Sequence, residues 1–523
     1  MRGPDDEVRI ADRRIRTTSE DRLRRFVVHW RFGLLVWVGL FSVMSAWSIS
    51  VPVSSAPDET GHVIKAAATV RGDFTGSPSK LAGNRDFRLP GNVGDVGGSL
   101  TCFVGGQEPS AACAPPLESR SRSIGSYASG AGAYNPTYYA LVGWPSLIWN
   151  GTAMVLAMRL MSALLSSVLW AVAIVGLSAR SLGRRIFLLV ALTPMALYLG
   201  GVVNPNGTEI AATAALAGLL WNAVNDDRPR GALLPIALAI VGALLLNLRS
   251  ISPLFALLDI VFIVAIAGLR KSSVALVQRR YLGTAIALVI AGLGAATWTL
   301  AVGLGAGYIP SAITDRPGPI KAFVHTLTTL DDQFREMVGI LGWFDAPLPV
   351  VVYLVWFGAT IAVIAIALLH ARPRSAVIVI GAVLTTVLIP AVLQAATAEK
   401  FGYIWQGRYT LPLFVLLLAV SALVVPETVW SALRTWPMRA LSIVILVLQL
   451  WSFLNVIKRY AVGGGGSWSQ FWTAPEWTPP GGIPLSVGLF TLGTALSLAA
   501  VIVSRRSRNY AAANECESRI EPA

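Results

Sequence analysis

The sequence has few charged residues. Asp, Glu, Lys and Arg make up 13% of the 523 residues, and only 28 residues are acidic. Hydrophobic residues make up 54%, and the mean hydropathy is +0.62. Soluble globular proteins contain about 25% charged residues, so this composition excludes a soluble fold and indicates an integral membrane protein.

The sequence also lacks any polar stretch as long as an independent soluble domain of about 100 residues. Its formal net charge of +14 would elsewhere suggest nucleic acid. Here the basic residues lie in short loops between apolar runs, where membrane orientation explains them, so we expect no nucleic-acid partner. No internal repeat is evident, which disfavours a transporter built from duplicated halves.

Long hydrophobic runs, in contrast, recur along the whole chain. A helix needs about 20 apolar residues to cross a hydrocarbon core of roughly 30 Å. About twelve runs of this kind are predicted at residues 32–53, 152–178, 185–203, 207–225, 231–247, 252–269, 281–304, 347–369, 375–397, 409–425, 438–457 and 483–503. The predicted fold is an all-α polytopic membrane protein with a single transmembrane domain, residues 32–504.

The distribution of Arg and Lys predicts the orientation of this domain. The N-terminal segment 1–31, the tail 505–523 and most short loops are basic, and cytoplasmic loops are enriched in such residues. Both termini are therefore predicted to be cytoplasmic, in a bacterial plasma membrane. Three longer polar segments, 54–134, 305–346 and 460–483, are then external, and we expect them to cover the helix bundle.

Four stretches outside the apolar runs carry local signals. Residues 138–149 are interpreted as an interfacial or re-entrant helix, because an extra crossing would place most Arg clusters outside. The Gly- and Ser-rich stretches 91–99 and 121–132 predict mobile loops. Residues 320–340 have apolar side chains at helical spacing, which predicts one interfacial helix.

Cysteine is scarce, with three residues in the chain. Cys102 and Cys113 are the only pair in the polar segments, on the predicted oxidising side, whereas Cys516 is alone in the tail. This arrangement favours a disulfide between Cys102 and Cys113, and the alternative is two unrelated loop thiols.

The segment after the first apolar run holds two adjacent acids and a histidine. Asp58 and Glu59 follow Pro57, and His62 lies one helical turn after Asp58. Pro and carboxylates also suit the start of a helix, which is a purely structural interpretation. A carboxylate beside an imidazole can take a proton from a hydroxyl, or hold a divalent cation against a phosphate. Asp58, Glu59 and His62 are the candidate catalytic residues.

Basic residues within or beside the apolar runs form a second set. Arg159 lies inside one run, Arg249 between two, and Arg408 at the start of another, shortly after Lys400. A lipid-facing Arg near a helix centre costs about 2.5 to 3.5 kcal/mol, so each Arg is expected to face the bundle or an interface. Interface anchoring and phosphate binding are both consistent with these positions.

Aromatic and polar residues cluster on the predicted external side. Membrane-interface belts explain most aromatic residues of this kind, which here include Trp343 and Tyr409, and the remainder could stack on sugar rings. Asn206, with Glu209 nearby, and Asp345 add polar groups there. Turn and cap formation is the structural alternative for these polar groups.

Short motifs accompany these positions along the chain. They are Pro57-Asp58-Glu59-x-x-His62, Asn135-Pro136-Thr137-Tyr138-Tyr139, Met158-Arg159-Leu160-Met161-Ser162, Thr193-Pro194 with Asn204-Pro205-Asn206, Leu341-Gly342-Trp343-Phe344-Asp345 and Gln406-Gly407-Arg408-Tyr409. In this order they resemble an uncharacterised family of bacterial polytopic membrane proteins related to the C-type glycosyltransferases. The resemblance covers roughly residues 30 to 460. Each motif alone has low specificity, whereas their order and spacing are fairly specific.

The resemblance implies an enzyme that uses a polyprenyl-phosphate-linked sugar. In such enzymes an acidic residue of the first external segment is catalytic or metal-associated, which implies that role for Asp58 or Glu59. The candidate residues for contact with the sugar or the acceptor are Tyr138, Tyr139, Asn206, Trp343, Asp345, Gln406 and Tyr409.

The chain departs from better-known relatives in three features. Asn206 stands where an Asp often follows the Asn-Pro pair, which argues against a metal site there. Asn135-Pro136-Thr137 stands where a double Pro is common, and a large soluble C-terminal domain is lacking.

The sequence thus predicts a glycosyltransferase-like membrane protein that moves a sugar from a polyprenyl phosphate to a cell-envelope glycan or lipid acceptor on the external face. Asp58 would be the general base, and the residues expected to bind the donor phosphate are Arg159, Arg249, Lys400 and Arg408. Two alternatives remain at this stage. One is a non-enzymatic lipid or polysaccharide transporter, and the other is a subunit of an envelope-assembly complex.

Overall fold

The fold is taken from a computed structural model that describes residues 31–81, 83–104, 109–178, 182–225, 232–303, 316–432 and 435–517. Most of these residues are helical. The helices are α1 Arg31–Ser50, α2 Glu59–Thr69, α3 Gly91–Gly94, α4 Pro136–Gly143, α5 Gly151–Ser178, α6 Leu182–Ala191, α7 Pro194–Gly200, α8 Pro205–Asn225, α9 Leu233–Leu246, α10 Ser252–Ala267, α11 Leu269–Leu276, α12 Leu282–Trp298, α13 Pro319–Thr328, α14 Leu330–Gly339, α15 Val350–His370, α16 Pro373–Phe401, α17 Gly407–Val424, α18 Glu427–Ala432, α19 Thr435–Val462, α20 Trp468–Thr473 and α21 Gly482–Glu517. The strands are β1 Ser77–Pro78, β2 Arg85–Pro90, β3 Ile124–Ser129, β4 Ile340–Leu341 and β5 Ala346–Pro347.

Eight helical segments within the described ranges are long and apolar enough to cross a membrane. They are Arg31–Ser50, Gly151–Leu177, Arg279–Val302, Val350–His370, Pro373–Phe401, Gly407–Val424, Trp436–Val462 and Gly482–Ala500. A ninth span results if α10 and α11, which bend by 117° at Gly268, are counted as one. The polytopic membrane fold is confirmed, but the predicted number of about twelve helices is not supported.

The excess in the predicted count comes from apolar runs that fold as other elements. The run 185–203 is broken where Thr193 caps α7, accepting a hydrogen bond from the Ala196 amide, and Pro194 cannot donate the bond that would continue α6. The run 231–247 forms α9, whose 14 residues span only about 21 Å. The run 207–225 forms α8, which is buried along most of its length and begins with polar residues.

Small antiparallel sheets in the polar segments qualify the all-α prediction. Strands β1, β2 and β3 form one sheet in that order, and β4 pairs with β5. Strand β3 lies within the stretch 121–132 that was predicted to be a mobile loop. The glycines nearby make room for Tyr127, since a Cβ at Gly94 would lie 2.4 Å from the Tyr127 ring. Close packing, rather than mobility, explains glycine at this position.

Two further predictions concern short helices that do not span the membrane. Residues 320–340 form two helices, α13 and α14, instead of one, because the chain turns at Thr329 (φ −109°, ψ 26°). Residues 138–149 comprise most of α4 and a 3₁₀ turn at Trp144–Leu147, which together are too short to cross a bilayer. This agrees with the interfacial or re-entrant interpretation.

The polar segments pack on one another and on the end of α19. The Ser110 hydroxyl donates to Glu476 over 2.5 Å, which joins the first and last of these segments. Arg459, near the end of α19, donates to the Pro109 and Phe103 carbonyls over 2.9 Å each. The predicted N-terminal segment up to residue 30 and residues 305–315 lie outside the described residues.

Candidate functional site

Glu59 and Arg159 form a fully buried ion pair between α2 and α5. Both side chains are 0% exposed, and the guanidinium meets the carboxylate with two hydrogen bonds of 2.7 and 2.5 Å. The other three N–H groups of Arg159 donate to the Ser48, Val51 and Pro52 carbonyls, at the end of α1. An arginine has five N–H donors, so none is left for a phosphate.

The Glu59 carboxylate also has several hydrogen-bond donors around it. It accepts further hydrogen bonds from the Ser54 and Val203 amides, over 3.1 and 3.2 Å. The pair therefore ties α1, α2, α5 and the α7–α8 connection together. The catalytic role predicted for Glu59 and the phosphate role predicted for Arg159 do not fit this geometry, which gives both residues a structural role.

Asp58, directly before Glu59, is placed quite differently. Its side chain is 50% exposed and its carboxylate contacts Arg408 Nη2 over 2.5 Å. Asp58 has φ 61°, a left-handed conformation that non-glycine residues adopt infrequently, and its side chain makes no capping bond to α2. Asp58 thus occupies the N-cap position of α2, as the helix-start interpretation predicts, but its carboxylate is used for Arg408 and not for a capping bond. Strained backbone of this kind is often found at functional sites.

Arg408 lies at the start of α17 and is 3% exposed. Its Nη2 donates to Asp58 and, over 3.0 Å, to the Tyr409 hydroxyl. Its Nε and Nη1 atoms are buried and have no hydrogen-bond partner in the part of the chain that the structure describes. Buried donors without acceptors are rare because each costs roughly 1 to 3 kcal/mol. Arg408 is thus a buried cation with unused hydrogen-bonding capacity.

Arg249 supplies a second positive charge. It pairs with Glu209 over 2.9 Å, and Glu209 also accepts hydrogen bonds from Ser252 over 2.5 Å and from the Asn206 amide over 3.1 Å. The Tyr409 ring contacts both arginines, with its centroid 4.6 Å from the Arg249 guanidinium carbon and 5.0 Å from that of Arg408. A shared aromatic face stabilises both cations and holds them at one site.

His62 completes the cluster on the α2 side. Its Nδ1 lies 2.8 Å from the Tyr139 hydroxyl, and its ring packs against Tyr134, with centroids 5.8 Å apart. Burial lowers the pKa of His62 from 6.5 to about 3, while Asp58 raises it and Arg408 and Arg249 lower it further. His62 is therefore neutral at physiological pH, so one ring nitrogen can donate a hydrogen bond and the other can accept one.

The lowered pKa of His62 predicts how stability depends on pH. The unfolded chain binds a proton near pH 6.5 and the folded chain only near pH 3, so the free energy of unfolding should fall as the pH drops through this window. The slope from this group is at most about 1.4 kcal/mol per pH unit. His62→Gln should flatten the profile measured by denaturant unfolding in detergent. The exposed His325, replaced by Gln, is the matched control, and an unchanged slope in His62→Gln would contradict the prediction.

The remaining predicted residues divide between the site and its support. The Tyr138 hydroxyl forms a hydrogen bond of 2.5 Å with the Ser162 hydroxyl, and the Tyr138 ring packs edge-on against Tyr139. Gln406 is two residues before Arg408. Its Oε1 atom is buried and accepts no hydrogen bond from the described residues.

Other predicted residues lie away from Arg408. Trp343 donates from its indole to the Ser54 carbonyl over 2.9 Å. Asp345 pairs with Arg459 over 3.0 Å in a buried contact. Lys400 is exposed at the end of α16, with its ammonium 5.3 Å from the Phe401 ring centroid. These three residues lie in or beside the polar segments, and none of them takes part in the contacts described for Asp58 and Arg408.

The structure adds residues that the sequence did not single out. Tyr134 packs against His62, Glu336 accepts from the Gly407 amide at the start of α17, and Ser252 bonds Glu209. Glu336 and Ser252 give no local signal, because their partners are distant in sequence. Cys102 and Cys113 are joined by a disulfide in the first polar segment, as predicted. Within the described ranges, no three His, Cys, Asp or Glu side chains form a group that could hold a metal ion.

The sequence matches a family model over residues 41–417, and the family is described as predicted membrane protein (DUF2142). The chain belongs to this family. The match runs from α1 into α17, so the DUF2142 region contains both Asp58 and Arg408. No protein with a curated description matches the sequence. The family description agrees with the membrane-spanning helices of the fold.

Proposed function

We propose that this protein is a glycosyltransferase-like membrane enzyme. It transfers a sugar from a polyprenyl-phosphate donor to a cell-envelope glycan or lipid acceptor, on the external face of the bacterial plasma membrane. The observation that carries the proposal is Arg408, whose buried Nε and Nη1 donors have no acceptor within the described part of the chain.

A phosphate group fits this environment. Its oxygens accept bidentate, charge-assisted hydrogen bonds from a guanidinium, which are about twice as strong as neutral ones. Arg408 also lies at the N-terminus of α17, which is the positive end of the helix dipole. A second cation, Arg249, contacts the same Tyr409 ring. The site therefore favours an anion with several oxygens at the edge of the bundle.

Unpartnered acceptors in the same region support a sugar. The Gln406 Oε1 and Asn206 Oδ1 atoms are buried and receive no hydrogen bond from any described residue. Gln406 precedes the Arg408 turn, and Asn206 donates to Glu209, the partner of Arg249. Buried acceptors need donors, and sugar hydroxyls can supply them. A phosphate-linked sugar thus supplies acceptors for the unused Arg408 donors and donors for the unused Gln406 and Asn206 acceptors.

The reaction assigns one role to each charged group. The Asp58 carboxylate takes the proton from the acceptor hydroxyl, and the oxygen of that hydroxyl forms a bond to the anomeric carbon of the sugar. The bond from that carbon to the phosphate oxygen breaks, and the polyprenyl phosphate leaves with the electron pair. Arg408 and Arg249 stabilise the negative charge that develops on the leaving oxygen. His62, which is neutral, orients the acceptor through Nε2, because Nδ1 is bonded to the Tyr139 hydroxyl.

The predicted orientation also forms part of the proposal. The disulfide between Cys102 and Cys113 suits an oxidising compartment, which in bacteria lies outside the plasma membrane. Asp58 belongs to the same polar segment. A donor with its phosphate at the outer interface would reach Asp58 and Arg408 from the membrane.

Arg408→Lys should weaken donor binding substantially. Lysine keeps the positive charge but lacks the planar fork that binds two phosphate oxygens, whereas a residue that only anchors the helix would tolerate Lys. Binding of a radiolabelled polyprenyl-phosphate sugar to membranes with matched protein levels tests this. Arg71→Lys is the control, since Arg71 donates to Ala67 and Ser146 at the other end of α2. Equal binding by wild type and Arg408→Lys would count against the phosphate role.

A further inference from the structure

We infer that Asp58 and the donor phosphate compete for Arg408, so that the phosphate releases the catalytic base as it binds. In this structure the anion on Arg408 is Asp58 itself. The inference rests on the proposed function and adds an order of events to it. Donor binding and activation of Asp58 become one exchange of ion-pair partners.

The hydrogen bonds of Arg408 explain why Asp58 and a phosphate compete for it. A guanidinium has two edges that can hold two oxygens at once, the Nη1–Nη2 edge and the Nε–Nη2 edge, and Nη2 belongs to both. The two Nη2 protons are directed to Asp58 and to the Tyr409 hydroxyl. The unused donors, Nε and Nη1, lie on opposite edges. A bidentate phosphate must therefore displace Asp58 or Tyr409 from Nη2.

Asp58 is the partner that can move. Its side chain is 50% exposed, so the released carboxylate can be hydrated. The other acidic group at the site, Glu209, is 0% exposed and is bonded by Arg249, Ser252 and Asn206. Displacing Glu209 would leave a buried charge without partners, which is far more costly. Tyr409 is also held, because both guanidinium groups pack on its ring.

Charge balance links this exchange to the chemistry. Each arginine of the site is paired with one carboxylate, Arg408 with Asp58 and Arg249 with Glu209. Once a phosphate takes Arg408, Asp58 no longer faces a cation and instead lies near another anion. A neighbouring negative charge favours the protonated form of a carboxyl group. The donor therefore turns a paired carboxylate into a proton acceptor, and only when its phosphate is bound.

Binding of inorganic phosphate to the purified full-length protein in detergent tests the exchange. Asp58→Asn removes the competing anion and should bind phosphate at least about tenfold more tightly than wild type by isothermal titration. Arg408→Gln should lose the binding. Asp73→Asn, which removes one carboxylate from the same external segment, controls for net charge and should bind as wild type does.

Thermal unfolding provides a second measurement if Arg408→Gln does not fold. Phosphate should raise the melting temperature of Asp58→Asn more than that of wild type, because it replaces the missing partner of Arg408. Equal affinities and equal thermal shifts in wild type and Asp58→Asn would overturn the exchange and leave the phosphate site standing. Absence of phosphate binding in both proteins would overturn the phosphate site and the exchange together.

Discussion

Asp58→Asn should lower the rate of sugar transfer by about 10²- to 10⁴-fold, the typical contribution of a general base. The substitution keeps the side chain's size and removes the carboxylate. Asparagine also tolerates the left-handed conformation that the structure shows at this position, so the backbone should be preserved. The assay follows transfer from a radiolabelled polyprenyl-phosphate sugar in membranes that contain wild type or variant protein.

The controls for this assay follow from the environments of the nearby acids. Asp73→Asn removes a carboxylate outside the site and should transfer as wild type does. Glu59→Gln is unsuitable as a control, because it breaks the buried pair with Arg159. Full turnover by Asp58→Asn would end the catalytic assignment. Absence of transfer by wild type with every donor tried would favour the lipid or polysaccharide transporter.

Asp58→Asn also separates binding from chemistry. The exchange with Arg408 predicts tighter phosphate binding in this variant, whereas the loss of the base predicts slower transfer. A damaged fold would instead weaken both. Opposite signs in the two measurements would therefore be difficult to explain by misfolding.

Arg159→Met should lower the free energy of unfolding by about 3 to 5 kcal/mol, because it leaves Glu59 buried without its counter-charge. Five hydrogen bonds are lost at once, including those to the three carbonyls at the end of α1. The measurement is denaturant or thermal unfolding of the purified protein in detergent. We expect a large fall in the yield of folded protein as well.

Two further variants separate the ion pair from simple packing. Combining Arg159→Met with Glu59→Gln should restore part of the lost stability, since no buried charge then remains. Arg335→Met, which breaks an exposed pair with Asp332, should change stability by less than about 1 kcal/mol. Wild-type stability of Arg159→Met would contradict the structural role of the pair.

The sequence identified most members of the site but could not assign their partners. Asp58 and Arg408 were both candidates, yet 350 positions separate them, and no local pattern connects residues so far apart. Glu59 and Arg159 were also candidates, and their mutual contact removes them from the reacting groups. Adjacent acids in one motif thus have opposite environments, because α2 begins between them and turns Asp58 outward and Glu59 inward.

The sequence could also have predicted that Glu209 is paired with a cation. An acid at the start of a buried apolar helix requires a counter-charge, which is a recognisable signal. The identity of its partner, Arg249, depends on how α8 packs against the α9–α10 connection. Tyr134 carried no comparable signal, since it follows a Gly-rich stretch.

Composition and hydropathy alone determined that this protein is a membrane protein built as a helical bundle with polar connecting segments. This was possible because the energetic cost of placing polar groups in lipid acts on each residue separately. The number of spans, the small sheets and the pairing of charges were decided by the tertiary structure. Whether an arginine is a structural tie or a ligand depends on how many of its five donors already have acceptors, and only the folded chain brings those acceptors together.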